Sequence, residues 1–97
     1  MVSNFIIVDV GNYTETDWQN PRTGERKVIK SFPLVLGDGN ETIYAEASDQ
    51  LAEEMSKAGL LKGQVVSVSL SFSANKVEKD GVARYYQQVR IRMCSWK

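Results

Sequence analysis

From Ser67 to Ser73 every second residue is a serine, and Val66, Val68, Leu70 and Phe72 take the other phase. A strand sends alternate side chains to opposite faces, so this stretch fits a sheet with one face in a core and no helix. The strand reads from Val65 to Lys76. Its serine face either meets water or allows a second subunit to approach closely.

Helical spacing occurs once. Leu51, Ala52, Met55 and Ala58 share one helical face, and Glu53 and Lys57 form an i,i+4 pair on the other. Ser48 suits a cap, Asp49 suits the positive end, and Gly59 suits the position after the last turn. The pattern predicts a helix at about Asp49–Ala58.

The rest of the chain reads as strands and turns. Phe5 to Val10 is β-branched and apolar, and this first strand is expected to end near Thr14 or Thr16. Asp17 to Glu25 is polar and contains Asn20-Pro21 and Thr23-Gly24, which read as a loop or hairpin tip. Lys27 to Leu36 alternates Phe32, Leu34 and Leu36 with Ser31, Pro33 and Val35. Pro33 has no N–H, so this strand is expected at an edge or bulged there. Gly37 to Asn40 is a tight turn. Thr42 to Ala47 puts Ile43, Ala45 and Ala47 on one face and Tyr44 on the other. Lys79-Asp80-Gly81 is another turn. The last strand runs from Ala83 to about Trp96, with Val89, Ile91 and Met93 on one face and Tyr86, Gln88, Arg90 and Arg92 on the other.

This order predicts an all-β fold with one helix. The expected form is a five-stranded antiparallel barrel of the oligonucleotide-binding (OB) type, with the helix between strands 3 and 4 and residues 1–97 forming a single domain. Leu51 and Met55 would plug its bottom.

The 97 residues include 12 Lys+Arg, 12 Asp+Glu, no His and one Cys. Zero net charge excludes a binder that works by bulk positive charge, but not a locally basic face. Without His, a Cys/His zinc site and the Ser-His-Asp and Cys-His nucleophilic arrangements are excluded. Glu53, Glu54 and Asp38 are explained by helix surface and turn chemistry. No enzyme activity, cofactor or metal is therefore expected. The lone Cys94 reads as a half-buried filler and, with an opening unlike a signal peptide, fits the cytoplasm. No apolar run is long enough for a membrane span.

Several stretches resemble bacterial and phage single-stranded DNA-binding proteins of the OB-fold type. Gln50-Leu51-Ala52-Glu53 is similar to their strand-to-helix junction. Leu61-Lys62-Gly63-Gln64-Val65-Val66 resembles their approach to the fourth strand. Asp80-Gly81-Val82-Ala83-Arg84-Tyr85 resembles the tip and return of their last hairpin, and Asn4 to Gly11 their first strand. The chain departs from that pattern where Val77 and Ser48 stand in place of stacking aromatics. It ends at Trp96-Lys97 without the family's acidic-tipped tail, so no tail-mediated recruitment is expected.

The resemblance implies sequence-tolerant binding of single-stranded DNA, in replication, recombination or mobile-element transfer. It also implies a homo-oligomer, dimer or tetramer, assembled through the first strand, where Phe5, Ile7 and Val10 offer apolar area. Such binding needs spaced cations and exposed aromatic platforms. The candidates in the first hairpin are Trp18, Arg22, Arg26, Lys27 and Lys30. Tyr44 follows on the third strand. Lys76, Lys79, Arg84, Tyr86, Arg90 and Arg92 belong to the last hairpin and strand. Of the neighbours Tyr85 and Tyr86, one is expected to face in and Tyr86 out. Phe5, Phe32 and Phe72 are expected in the core, and Trp96 against the barrel or a partner subunit. Val77 would touch a subunit or a base. The alternative is an OB-fold protein-interaction module, an accessory subunit of a replication or DNA-transfer complex.

Overall fold

The computed structural model describes residues 2–96. They form six strands and one helix: β1 (Val2–Val10), β2 (Thr14–Gln19), β3 (Arg26–Gly37), β4 (Thr42–Ser48), α1 (Asp49–Lys57), β5 (Val65–Lys79) and β6 (Val82–Ser95). The sheet order is β1-β5-β6-β4-β3-β2, and β1 also pairs with β3, so the hydrogen bonding runs around a ring and β2 extends it. Every ladder is antiparallel except β4 with β6, which meet in parallel at Glu46 and Arg90. The sequence led us to expect five antiparallel strands. The structure has a sixth strand and one parallel contact.

The sixth strand arises from a break. β1 pairs with β3 as far as Val10 opposite Leu34. β2 resumes the pairing at Thr14 opposite Ser31. Pro33 lies between the two ladders. Its carbonyl accepts from the Gly11 N–H at 2.9 Å. A strand residue's N–H and C=O point to the same side, so the N–H that Pro33 lacks would face the break. Asp17, Trp18 and Gln19 therefore belong to a strand, not a loop. All of Thr14–Gln19 is exposed, so no apolar stripe marks it.

The turns follow local chemistry. Asn20 Oδ1 accepts from the Arg22 N–H at 2.8 Å, and the Gly24 N–H closes the tip onto the Asn20 carbonyl at 2.9 Å. Asp80 and Gly81 both have positive φ, 55° and 77°, as a two-residue hairpin turn matched to strand twist requires.

The core is a single cluster. Ile7, Phe32, Leu34, Leu36, Val66, Val68 and Ile91 come from the strands, and Ala52 and Met55 from α1. The helix packs chiefly on β3 and β4. Full burial of a side chain such as Met55 stabilises by ~1.5–3 kcal/mol. Leu51 is only partly buried against the cluster. Ser48 holds the N-cap position without a side-chain hydrogen bond to the helix.

A bulge corrects the expected phase of the last strand. Ser69 lies opposite Met93 but Leu70 opposite Ile91, so Arg92 is an extra residue in β6. Ile91 faces the core on one side of it, and Cys94 and Trp96 pack inward on the other, leaving Met93 exposed. Beyond Ser71 the β5–β6 hairpin outruns the core, and among the described residues only Val89, opposite Phe72, still packs against it. Phe72 is therefore 58% exposed instead of core. Tyr85 and Tyr86 lie on opposite faces of this hairpin, and both are exposed.

Candidate nucleic-acid interface

Register assigns each candidate to a side of the sheet. In β3, Phe32, Leu34 and Leu36 face the core, so Lys27, Ile29, Ser31, Pro33 and Val35 face outward. Trp18 pairs with Lys27, Tyr44 with Val35, and Glu46 with both Pro33 and Arg90, so all share the outer side. Arg90, Tyr86, Arg84 and Val82 continue it along β6, opposite Ser71, Asn75, Val77 and Lys79 of β5.

Seven of the twelve candidates thus share one side of a continuous run of strands, β2-β3-β4-β6-β5: Trp18, Lys27, Tyr44, Lys79, Arg84, Tyr86 and Arg90. Trp18, Tyr44 and Tyr86 are 45%, 57% and 53% exposed, enough for a ring face to be reached from solvent. At the hairpin end, Val77, Lys79, Asp80, Val82, Arg84 and Tyr86 line a shallow groove of about 460 Å³.

The other five candidates do not join this side. Arg22 sits in the turn after β2. Arg92 is the bulge residue. Arg26 and Lys30 point to the opposite side of β3, with Gln19 and Glu15. Lys76 lies opposite Tyr85, away from Tyr86, and pairs with Glu78 at 3.2 Å.

Lys30 is committed elsewhere. Its Nζ donates to Glu53 Oε2 at 2.7 Å, and Lys57 Nζ reaches the other oxygen at 3.2 Å. The hydrogen bond from Lys30, then that from Lys57, holds the Glu53 carboxyl below its usual range. The same bond raises Lys30. This bridge ties the first hairpin to the helix. The four cations that look like one patch in sequence are therefore divided, because neighbours along a strand face opposite ways.

The sequence reading missed Glu46 and Ser31. Glu46 is half-buried amid the outer side, and its carboxylate accepts from the Ser31 hydroxyl at 3.1 Å and the Tyr44 hydroxyl at 3.2 Å. Loss of hydration, then the nearby Glu46 charge, raises the Tyr44 phenol above its ordinary value. The signal was present in the outward phase Tyr44-x-Glu46-x-Ser48. Phe72 and Tyr85 are further exposed rings that the sequence analysis had not counted as platforms.

The first strand also differs from expectation as an assembly surface. Ile7 is fully buried in the core, while Val2 and Ile6 are exposed, with Val65 of β5 paired to Ile6. Among the described residues no group of three or more His, Cys, Asp or Glu could hold a metal ion, and no helix is long and apolar enough to cross a membrane. No known family model matches the chain, and no curated protein matches it either.

Proposed function

We propose that the chain is an OB-fold protein that binds single-stranded DNA without catalysis and with broad sequence tolerance. The ring order, with the helix between β4 and β5, supports the OB assignment once β1 and β2 are read as one interrupted strand. The observation that carries the function is the shared outer side, with Trp18, Tyr44 and Tyr86 among Lys27, Arg84 and Arg90. Aromatic rings supply platforms for base faces, and the cations between them meet the phosphates. Base stacking contributes ~1–3 kcal/mol per base in proteins of this kind.

The protein would act in the cytoplasm, in replication, recombination or transfer of mobile DNA, as a homo-oligomer. Exposed apolar groups that would serve self-association through β1 and its neighbours include Val2, Ile6, Val65 and Met93. Titration with an oligo-dT strand at low and high salt tests the reading through Trp18 fluorescence. With Z phosphates neutralised, the log–log salt slope is about −0.7Z, and the outer-side cations allow Z of roughly 2–4 per subunit. Absence of binding at low salt would favour a protein-interaction module instead. One observation favours that second reading: the β5–β6 hairpin exposes Val77 and Val82 on one face and Phe72 and Tyr85 on the other.

A further inference from the structure

A carboxylate within a surface that meets a polyanion costs affinity, because like charges repel. Glu46 occupies such a place, between Pro33 and Arg90 and two residues from Tyr44. It is also oriented. Ser31 holds one oxygen and Tyr44 the other, and Ser31 belongs to β3, on the far side of β4 from Arg90. The carboxylate therefore leans away from β6, and among the described residues Arg90 makes no ion pair with it. A carboxylate has about four lone-pair sites, so two hydroxyl donors leave room for roughly two more, one on each oxygen.

Two parallel donors are what one base offers. Guanine presents N1–H and N2–H side by side on its Watson–Crick edge. Adenine and cytosine present one amino group beside a ring nitrogen that repels a carboxylate. Thymine presents one N–H flanked by two carbonyl oxygens. An unpaired base stacked on Tyr44 would bring that edge toward Glu46, while Arg90 stays free for a phosphate.

We infer that Glu46 is a specificity-determining residue, accepting both edge donors of an unpaired guanine, so that the protein prefers guanine-containing single strands to thymine strands. This rests on the single-stranded DNA reading above. It refines sequence tolerance into a graded preference.

The test compares three strands of equal length by fluorescence anisotropy: oligo-dT, the same strand with every third thymine replaced by guanine, and its hypoxanthine counterpart, which lacks the N2 amino group. Guanine should bind at least about fivefold tighter than thymine, the low end of discrimination by a bidentate base contact. Hypoxanthine should lose most of that advantage. Glu46→Gln should abolish the preference and tighten binding to oligo-dT, with circular dichroism as the folding control. Ser31→Ala, which frees the carboxylate, should weaken the preference. Equal affinity of the parent for guanine and thymine strands overturns the inference alone, as does a preference that survives in Glu46→Gln. Failure to bind any of the strands at low salt overturns the single-stranded DNA reading with it.

Discussion

The Gly11 N–H donates to the Pro33 carbonyl at the point where the first strand is interrupted. The approach is so close that a Cβ on Gly11 would overlap the Pro33 ring and lie 2.9 Å from that carbonyl oxygen. Gly11→Ala should therefore destabilise the fold by ~1–3 kcal/mol, the usual cost of overpacking, as measured by urea unfolding. Gly39→Ala is the comparison: nothing lies near its Cβ, and only its positive φ of 96° opposes the change. A loss at Gly11 well below ~1 kcal/mol would mean that the contact with Pro33 carries no weight.

The division of the first-hairpin cations predicts divided effects. Lys27→Ala should weaken single-strand binding and make the salt slope shallower, since Lys27 shares a side with Trp18. Arg26→Ala, on the opposite side, should leave both nearly unchanged. Trp18→Ala should cost ~1–3 kcal/mol of binding without altering the slope, because stacking releases no counterions. Binding isotherms at several salt concentrations read all of these, and equal slopes for Lys27→Ala and Arg26→Ala would remove the assignment of sides.

The Glu53 bridge gives a pH dependence of definite sign. Its carboxyl is held below the ordinary 4.5 when folded. The stabilisation is thus present above 4.5 and lost as pH falls through the lower folded value. Glu53→Gln should lower Tm at pH 7 and match the parent at strongly acidic pH, where the parent's Glu53 is also neutral. Thermal melts across that range check it. A constant difference in Tm would show that charge is not the cause.

Cys94 should be slow to react. Burial pushes its thiol up to about 11, which leaves little thiolate at neutral pH. Iodoacetamide labelling at pH 8 should be many times slower than in urea-unfolded protein. Comparable rates would place Cys94 in solvent.

The sequence made some parts of this fold legible and hid others. The alternations at Phe32–Leu36 and Val66–Val68 and the helical spacing around Met55 lead directly to buried residues. Those elements each face one core, so burial imposes a period. Thr14–Gln19 has no such guide, although Thr14, Thr16 and Trp18 do alternate with Glu15, Asp17 and Gln19. The Arg92 bulge is a property of pairing between strands, which neither strand reveals alone. Phe72 illustrates the same limit. Its phase is that of the core, but its distance along the hairpin takes it past the place where the core ends. For the candidate site, residue types were readable from the chain. Which cations share a side depended on knowing that the first hairpin is strand up to its turn.

The terminal position of β2 in the sheet has a consequence for the behaviour of the protein in concentrated solution. Among the described residues it leaves one row of backbone donors and acceptors without a neighbour in the sheet. Such a row is a template on which a second extended chain can grow. Here Glu15 and Asp17 project from that strand, and a strand added there would bury their charges against its own side chains. Neutralising both, as Glu15→Gln with Asp17→Asn, would remove a guard against fibrillar aggregation without touching the core.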